Sequence, residues 1–407
     1  MQLSPADTAW LLVSTALVLV MTPALGFFYG GMVRAKNALN TLMMSFSALG
    51  FVGLAWAMLG YSIAFGKTPF AHVFLRGIGL EPQGTIPHLL FFAFQGTFAI
   101  ITAALISGAI VERMRFGPYV AFITLWSLAV YAPVAKWVWG GGWLAKIGAL
   151  DFAGGTVVHV NAAAAALVCA LMVGSRKDYA RQAILPQNVP FTLLGAGLLW
   201  LGWFGFNAGS ALGANTSAAL AFVNTMLAPT ATLVVWTLLD LVRTRKATAI
   251  GAATGIVVGL VAITPAAGFV SPLSAIFIGA IAAAPSYYAL LYRARTRLDD
   301  SLDVVAAHGV GGITGALLTG VFAEKAWSGA AEGLLSGNAR QLGVQVLAIA
   351  ATLAYSGIVT FVIVKAIALL TRLRTDPREE GLGLDFTQHG EEAYSRGEGA
   401  ILLLDQR

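Results

Sequence analysis

The sequence predicts an all-α polytopic membrane protein with eleven transmembrane helices, arranged as an inverted 5+5 repeat plus one. Of its 407 residues, 58% are hydrophobic and only 11% are charged, whereas a soluble domain carries about 25% charged residues. The mean hydropathy is +0.78, and apolar runs long enough to cross a bilayer recur along the whole chain. A soluble globular fold is therefore excluded.

Each apolar run is bounded by polar or basic connections. The first begins after Asp7, has no basic segment before it and is too long for a signal peptide, so it is predicted to be the first span. The predicted spans are Thr8–Tyr29, Ala38–Phe65, Leu89–Val111, Gly117–Trp137, Phe152–Val173, Val189–Ser210, Thr216–Leu241, Ala249–Ala267, Val270–Tyr292, Leu302–Phe322 and Gln341–Leu370. We therefore predict a transmembrane domain over residues 1–370 and a polar tail over residues 371–407.

Basic residues are distributed unequally between alternate connections. One set of connections holds thirteen, namely Arg34, Lys36, Arg113, Arg115, Arg176, Lys177, Arg181, Arg243, Arg245, Lys246, Arg293, Arg295 and Arg297. The other set holds six, namely Lys67, Arg76, Lys136, Lys146, Lys325 and Arg340. Since basic connections favour the cytoplasmic side, the N-terminus is predicted outside and the C-terminus inside. This bias also explains the net charge of +6 without a nucleic-acid partner.

Three glycines recur at every fourth residue of the eighth span. Gly251, Gly255 and Gly259 share one face of the predicted helix. Small residues let helix backbones approach closely in lipid, so this stripe predicts tight packing against a neighbouring helix.

Two of the five histidines, His159 and His308, lie within predicted spans, and each follows an aspartate by eight residues. Asp151 would start the fifth span from the outside and Asp300 the tenth span from the inside. Eight residues of helix rise about 12 Å, so each histidine would lie near the middle of a core about 30 Å thick. The shared spacing predicts inverted repeats over about residues 8–173 and 189–322, a last helix over about 341–370, and a meeting of the two histidines between the repeats.

A lone histidine on an apolar helix is usually a packing residue, but two at matched depth favour a pore because polar groups are costly in lipid. A neutral imidazole offers one donor and one acceptor and titrates near neutral pH. The pair therefore suits a small weak base or acid that sheds its charge to enter. The aspartates are predicted mainly as helix caps, with Asp151 also shaping the outer vestibule and Asp300, beside Asp303, facing the inside.

Three tryptophans, Trp137, Trp139 and Trp143, lie at the predicted outer membrane boundary. Tryptophan is common in the interfacial belt of membrane proteins. It also attracts ammonium-type cations to its ring face. The composition does not choose which of the three has the second role.

These stretches together resemble the ammonium transporter family, in its Amt branch, over about residues 8–395. The stretch "DFAGGTVVHVNAAAAALVCALMVGSR" is similar to that family's signature, and "GFFYGGMVRAKN", "GWFGFNAGS", "ALAFVNT" and "GLDFTQHGEEAY" resemble further blocks of it. Rh proteins share the twin histidines but generally lack the recruitment tryptophan, so Trp139 favours the Amt branch.

The resemblance implies a role for each matching residue. Phe94, Trp139 and Ser210 would recruit ammonium at the outer face through cation–π contact and a hydroxyl group. Phe98 and Phe206 would form a stacked phenyl gate below that site. His159 and His308 would be the hydrogen-bonded twin histidines of the pore. Asp151 would support the recruitment site without binding directly, and Asp300 is placed with it as a supporting residue.

The resemblance also implies a homotrimer with one pore per subunit in the cytoplasmic membrane, surrounded by lipid. A PII-type signalling protein would be the partner at the cytoplasmic face. Two features depart from the family pattern. Gln187 stands where many relatives have histidine, and the apolar centre of "GAILLLDQR" (Gly399–Arg407) is expected to dock on a partner or on the protein itself.

We therefore predict transport of ammonium or ammonia, with deprotonation before the gate and passage of ammonia along the histidines. The proton would either return outside, which is electroneutral, or cross separately, which is electrogenic. The alternative is an ammonium sensor that moves little and signals through a PII-type partner. An enzyme is not predicted, because no nucleophile motif accompanies the histidines. No cofactor or metal is predicted, since two histidines without a third ligand make a poor metal site.

Overall fold

The structure is a computed structural model that describes residues 2–329 and 331–394 of the chain. Within these residues, ten helices are long and apolar enough to cross a membrane. The segment Gly399–Arg407, for which the sequence predicts a docking role, lies outside the described residues. The fold is thus that of an all-helical, multi-pass membrane protein.

Ten of the predicted spans are membrane-length helices, and one is shorter. The long helices are α1 (Pro5–Met32), α2 (Ala35–Phe65), α3 (His88–Ala109), α4 (Phe116–Ile147), α5 (Gly155–Val173), α6 (Val189–Gly209) and α7 (Thr216–Thr244). After α8 follow α9 (Pro272–Arg293), α10 (Val305–Phe322) and α11 (Ala339–Leu370). Helix α8 (Ala249–Ile263) has 15 residues, fewer than the roughly 20 that cross a bilayer unaided. Eleven crossings therefore remain a prediction.

Short elements occupy the connections. Strands β1 (Pro82–Gln83) and β2 (Ile86–Pro87) pair antiparallel between α2 and α3. Single helical turns lie at Val73–Leu75, Lys325–Ser328 and Leu334–Ser336, and in the tail at Pro377–Leu382 and Asp385–His389. Helix α4 is interrupted between Val138 and Trp143, which leaves Trp139 at an open helix end.

Helices α5 and α10 begin later than the sequence predicts. Their first residues are Gly155 and Val305 rather than Phe152 and Leu302, and the first six residues of each helix form a wide π-helical turn. The predicted unbroken helical rise of about 12 Å from aspartate to histidine is therefore wrong, since only about half of each stretch is helical. The aspartates lie in the preceding loops and cap the helices from outside them.

The glycine stripe of α8 packs against α7, as its spacing predicts. An added Cβ at Gly251 or Gly255 would meet Trp236, and one at Gly259 would lie 2.5 Å from the Cα atom of Pro229. The α7 backbone thus leaves no room for a side chain at Gly259.

Leucine at Gly259 is expected to lower the free energy of unfolding by about 1–3 kcal/mol, because overpacking forces neighbouring atoms apart. Thermal unfolding in detergent would measure the change. The control is Gly343→Leu on α11, where an added Cβ meets no atom within 4 Å. Equal losses in the two variants would contradict a specific α7–α8 contact.

Four charged residues, three of them buried and Arg34 partly exposed, form a group at the end of the bundle where α5 ends and α10 begins. We call Arg34, Glu112, Arg176 and Asp299 the base cluster. Glu112 pairs with Arg34 at 3.0 Å and with Arg176 at 2.8 Å. Arg176 also pairs with Asp299 at 2.8 Å. Since Arg176 follows α5 and Asp299 precedes α10, the base cluster ties together the two helices that carry the histidines.

The tail docks on the same end of the bundle. The Asp385 carboxylate accepts the backbone N–H groups of Leu39, at 3.0 Å, and Asn40, at 2.7 Å, in the first turn of the regular part of α2. The backbone N–H of Leu384 donates to Asn37 Oδ1 at 2.8 Å. The tail thereby supplies the N-terminal cap that this helix lacks in its own sequence.

Candidate functional site

A cavity of about 280 Å³ opens beside the break in α4, and we call it the outer cavity. Aromatic rings form most of its wall, and Gln95, Trp139 and Ser210 contribute polar atoms to it. Phe91, Gln95 and Phe98 lie three and four residues apart on α3, so one face of that helix lines the cavity from its mouth inward.

Trp139 and Ser210 are both held in place by backbone carbonyl groups. The indole N–H of Trp139 donates to the carbonyl oxygen of Asp151 at 2.9 Å. The hydroxyl of Ser210 donates to the carbonyl oxygen of Phe206 at 2.8 Å. The hydrogen-bond donor of each side chain is thus occupied by the protein backbone. The indole face of Trp139 and the hydroxyl lone pairs of Ser210 stay available to a cation.

Two stacked phenyl rings separate the outer cavity from the interior. The ring centroids of Phe98 and Phe206 are 4.2 Å apart with an angle of 25° between the planes. Trp139 meets Phe98 edge-on at 5.9 Å. Because both phenyl rings are buried, one of them must rotate before anything passes.

Phe94 lies beside Phe98, one of the two stacked rings. It is fully buried and contacts Phe98 edge-on at 5.0 Å. It is not among the residues that line the outer cavity, where Phe91 and Gln95 of the same helix lie instead. The structure therefore brings Phe94 together with the stacked rings, and its part in recruiting ammonium stays a prediction.

His159 and His308 meet directly below the phenyl rings. Their Nδ1 atoms are 3.2 Å apart, and Trp203 stacks on the His159 ring at 5.5 Å. Phe206 and both histidines line a small cavity of about 10 Å³, which we call the pore cavity. That is about the space that one water-sized molecule needs.

The Nδ1 contact fixes the hydrogen-bonding groups that the pair presents. One neutral imidazole must donate from Nδ1 and the other must accept there, so one Nε2 is an acceptor and the other carries a proton. Nε2 of His159 is buried and has no hydrogen-bond partner among the described residues. The pair can therefore serve a small molecule that both donates and accepts.

Side chains of six helices line the pore cavity. They come from α1, α3 and α5 and from α6, α8 and α10, and include Leu25, Ile101, Leu199 and Val257. Apart from the two imidazoles and the indole of Trp203, the wall is apolar, and the indole N–H donates to Thr264 at 2.9 Å. An unpaired ion in such a space would lose its hydration without replacement.

Asp151 is a helix cap, and its carboxylate has no free hydrogen-bond acceptor position left. Its two carboxylate oxygens accept the backbone N–H groups of Gly154, Gly155, Thr156 and Val157 at 2.6–2.9 Å. Gly154 supports this turn with a φ of +119°, which favours glycine. Since four bonds fill the lone pairs of a carboxylate, Asp151 orients α5 and, through its carbonyl oxygen, Trp139.

Asp300 and Asp303 stand before α10 at the other end of the bundle. Asp300 accepts the backbone N–H of Val305 at 2.7 Å, while Asp303 pairs with Arg293 at 2.7 Å and lines a separate cavity of about 320 Å³. Burial raises the pKa of Asp303 to about 7, although Arg293 opposes the shift. The carboxyl group of Asp303 is therefore partly protonated near neutral pH.

Gln95 and Trp203 belong to the site but were not assigned a role from the sequence. Trp203 lies inside "GWFGFNAGS", one of the stretches that carry the resemblance, and Gln95 lies between Phe94 and Phe98. Gln95 precedes Phe98 by three residues and Trp203 precedes Phe206 by three, so helical spacing from each gate ring was the signal that could have found them.

Comparison with known proteins gives one consistent family. The sequence matches the Ammonium Transporter Family over residues 9–394. It is 50% identical over 404 residues to the ammonium transporter of Aquifex aeolicus (strain VF5), covering 97% of this chain and 94% of that relative.

Solved structures of the same fold are similar as well. The crystal structure of Candida albicans Mep2 has a TM-score of 0.86 and 35% identity, covering 93% of this chain and 88% of that one. A structure named Sensor Amt Protein has a TM-score of 0.89 and 29% identity, covering 94% and 98%. Sequence and fold agree over almost the full length.

Proposed function

Because the chain belongs to the ammonium transporter family, we propose that it moves ammonium, as the ion or as ammonia, across the cytoplasmic membrane. One observation carries the proposal. A buried imidazole nitrogen of His159 without a partner lines a cavity the size of a single small molecule, directly under a stacked pair of phenyl rings.

Ammonium first enters the outer cavity in this proposal. The indole face of Trp139 attracts the cation, and the Ser210 oxygen accepts one of its N–H bonds. Phe94 is the third residue of the recruitment site in this proposal, and its ring packs edge-on against Phe98 at the floor of the cavity. Asp151 positions Trp139 through its carbonyl oxygen.

Deprotonation precedes passage through the phenyl gate. The pore cavity offers one donor and one acceptor in an apolar wall, which suits ammonia and penalises a bare cation. Ammonia accepts a hydrogen bond from the protonated Nε2 and donates to the other. Asp300 acts as a supporting residue because it caps the helix that carries His308.

The proton follows one of two routes. It returns outside, so that transport is electroneutral, or it moves along the imidazole pair, so that transport is electrogenic. A current after an ammonium jump on proteoliposomes of the purified protein, with potassium as the control ion, is the expected outcome of the second route. Alkalinisation inside the liposomes without current is the outcome of the first.

A sensor is the second candidate, supported by the similarity to the structure named Sensor Amt Protein. A sensor would bind ammonium and signal through a PII-type protein at the cytoplasmic face. The same liposomes distinguish it, because ammonium binding with neither current nor alkalinisation contradicts transport.

The topology belongs to the same proposal. We propose eleven crossings with the N-terminus outside, the C-terminus inside and a homotrimeric assembly with one pore per subunit. Inverted repeats over about residues 8–173 and 189–322 are supported by the pore wall, since each predicted repeat contributes its first, third and fifth helix to it, α1, α3 and α5 from one and α6, α8 and α10 from the other. Residues 371–407 form the cytoplasmic tail.

Leucine at Trp139 is expected to raise the apparent KM for ammonium on the order of 30-fold, because a desolvated cation–π contact contributes about 2 kcal/mol. Uptake at varied ammonium concentration measures it. The matched control is Trp143→Leu, since Trp143 is 39% exposed and does not line the outer cavity. The same KM in both variants would exclude Trp139 from recruitment.

A further inference from the structure

Gln95 is a polar side chain of the outer cavity whose hydrogen bonds are unfilled. It is 8% exposed, lines the cavity together with Trp139 and Ser210, and has a buried Oε1 atom without a partner among the described residues. An unpaired buried carbonyl oxygen costs free energy that a bound donor would recover.

The neighbouring polar groups make Gln95 distinctive. The N–H of Trp139 and the hydroxyl hydrogen of Ser210 both bond to backbone oxygens, and the carboxylate of Asp151 is filled by four backbone N–H groups. Apart from the lone pairs of Ser210, the acceptor without a hydrogen-bond partner among the side chains that line the cavity is thus the carboxamide oxygen of Gln95.

Ammonium has four N–H donors and no acceptor, so it loses hydrogen bonds to water on entering an aromatic cavity. Cation–π contact replaces the charge stabilisation but supplies no directed oxygen for those donors. A half-turn about the last torsion of Gln95 exchanges its oxygen and nitrogen, so the oxygen reaches the cavity without movement of the backbone.

We infer that Gln95 is a binding and specificity-determining residue of the outer cavity, whose carboxamide oxygen accepts an N–H bond of ammonium. The inference rests on the proposed transport of ammonium. It assigns Gln95 the position between the cavity mouth at Phe91 and the gate ring of Phe98, on the same face of α3.

Selectivity follows from the number of donors. Methylammonium has three N–H bonds and a methyl group, so it can place the methyl toward Gln95 and forgo that hydrogen bond. Removal of the carboxamide oxygen of Gln95 should therefore weaken the binding of ammonium more than the binding of methylammonium. A structural role in helix packing would instead change both substrates alike.

The test is Gln95→Met, which keeps the length of the side chain and removes the acceptor. We expect the apparent KM for ammonium to rise roughly 10-fold, as for a lost hydrogen bond to a charged group, with a smaller rise for methylammonium. The maximal rate should change little. Gln83→Met in the exposed strand β1 is the control and should match the wild type.

Gln95→Glu provides the second measurement, because it restores an acceptor and should keep the apparent KM for ammonium at or below the wild-type value. It also keeps the inference testable if the Met variant does not fold. A wild-type KM and wild-type substrate preference in Gln95→Met would overturn the inference, as would a Glu variant with the KM of the Met variant. If the wild type itself moves no ammonium, the proposed transport fails instead.

Discussion

Alanine at His159 is expected to abolish the ammonium-dependent current, with a loss on the order of 100-fold or more, as for removal of a positioned proton-transfer group. The variant leaves Nδ1 of His308 without its partner at 3.2 Å and removes the unpaired Nε2 atom from the pore cavity. A proton then has no continuous path between the gate and the far side of the pair.

The measurement is the transient current of proteoliposomes, recorded together with internal pH. Alkalinisation that persists while the current disappears would separate ammonia passage from proton passage. His72→Ala is the control, since His72 lies in the connection between α2 and α3, outside the spanning helices. A wild-type current in His159→Ala would refute the imidazole relay.

Glutamine at Glu112 is expected to cost about 3–5 kcal/mol of unfolding free energy, because removing one partner leaves buried charges uncompensated. Glu112 is fully buried and faces the guanidinium groups of Arg34 and Arg176. Thermal unfolding in detergent would report the loss. Arg372→Gln is the control: its ion pair with Asp376 is largely exposed, so its change should stay below about 1 kcal/mol.

The base cluster also predicts a pH dependence. Burial alone would raise the pKa of Glu112, but Arg176 and Arg34 lower it below its ordinary value. A lowered folded-state pKa gives stability that is present above the unfolded pKa, about 4.3, and lost as the pH falls through the folded value. The wild type should therefore lose stability below about pH 4, and Glu112→Gln should lose less over that range. Equal acid sensitivity would contradict a stabilising charge on Glu112.

The pairing of the histidines could be predicted from the sequence, whereas their helix starts could not. The Asp151–His159 and Asp300–His308 spacings indicated two matched histidines, and their Nδ1 atoms lie in contact. The aspartates, however, reach forward from loops to cap π-helical turns that begin at Gly155 and Val305. The spacing from aspartate to histidine is the same whether the aspartate is the first residue of the helix or caps the helix from the preceding loop. The spacing therefore does not show where the helix begins.

Which side chains of α3 line the outer cavity could also not be predicted from the sequence. Phe94 and Phe98 are four residues apart, so spacing alone places both on one face. In the structure Phe91, Gln95 and Phe98 line the cavity, while Phe94 is fully buried against Phe98. By contrast, the glycine stripe of α8 was predicted correctly, because only close backbone contact explains three small residues on one face.

The docking of Asp385 on the start of α2 has a consequence for biosynthesis. Asp385, which caps the N–H groups of Leu39 and Asn40, comes about 345 residues after them in the chain. During synthesis, α2 leaves the ribosome and enters the membrane long before Asp385 is made. Until then, the N–H groups of that first turn can form hydrogen bonds only with water or lipid headgroups. The second helix therefore reaches its final hydrogen bonding only when translation is almost finished, and truncated chains should be recognisable to quality control by that open helix end.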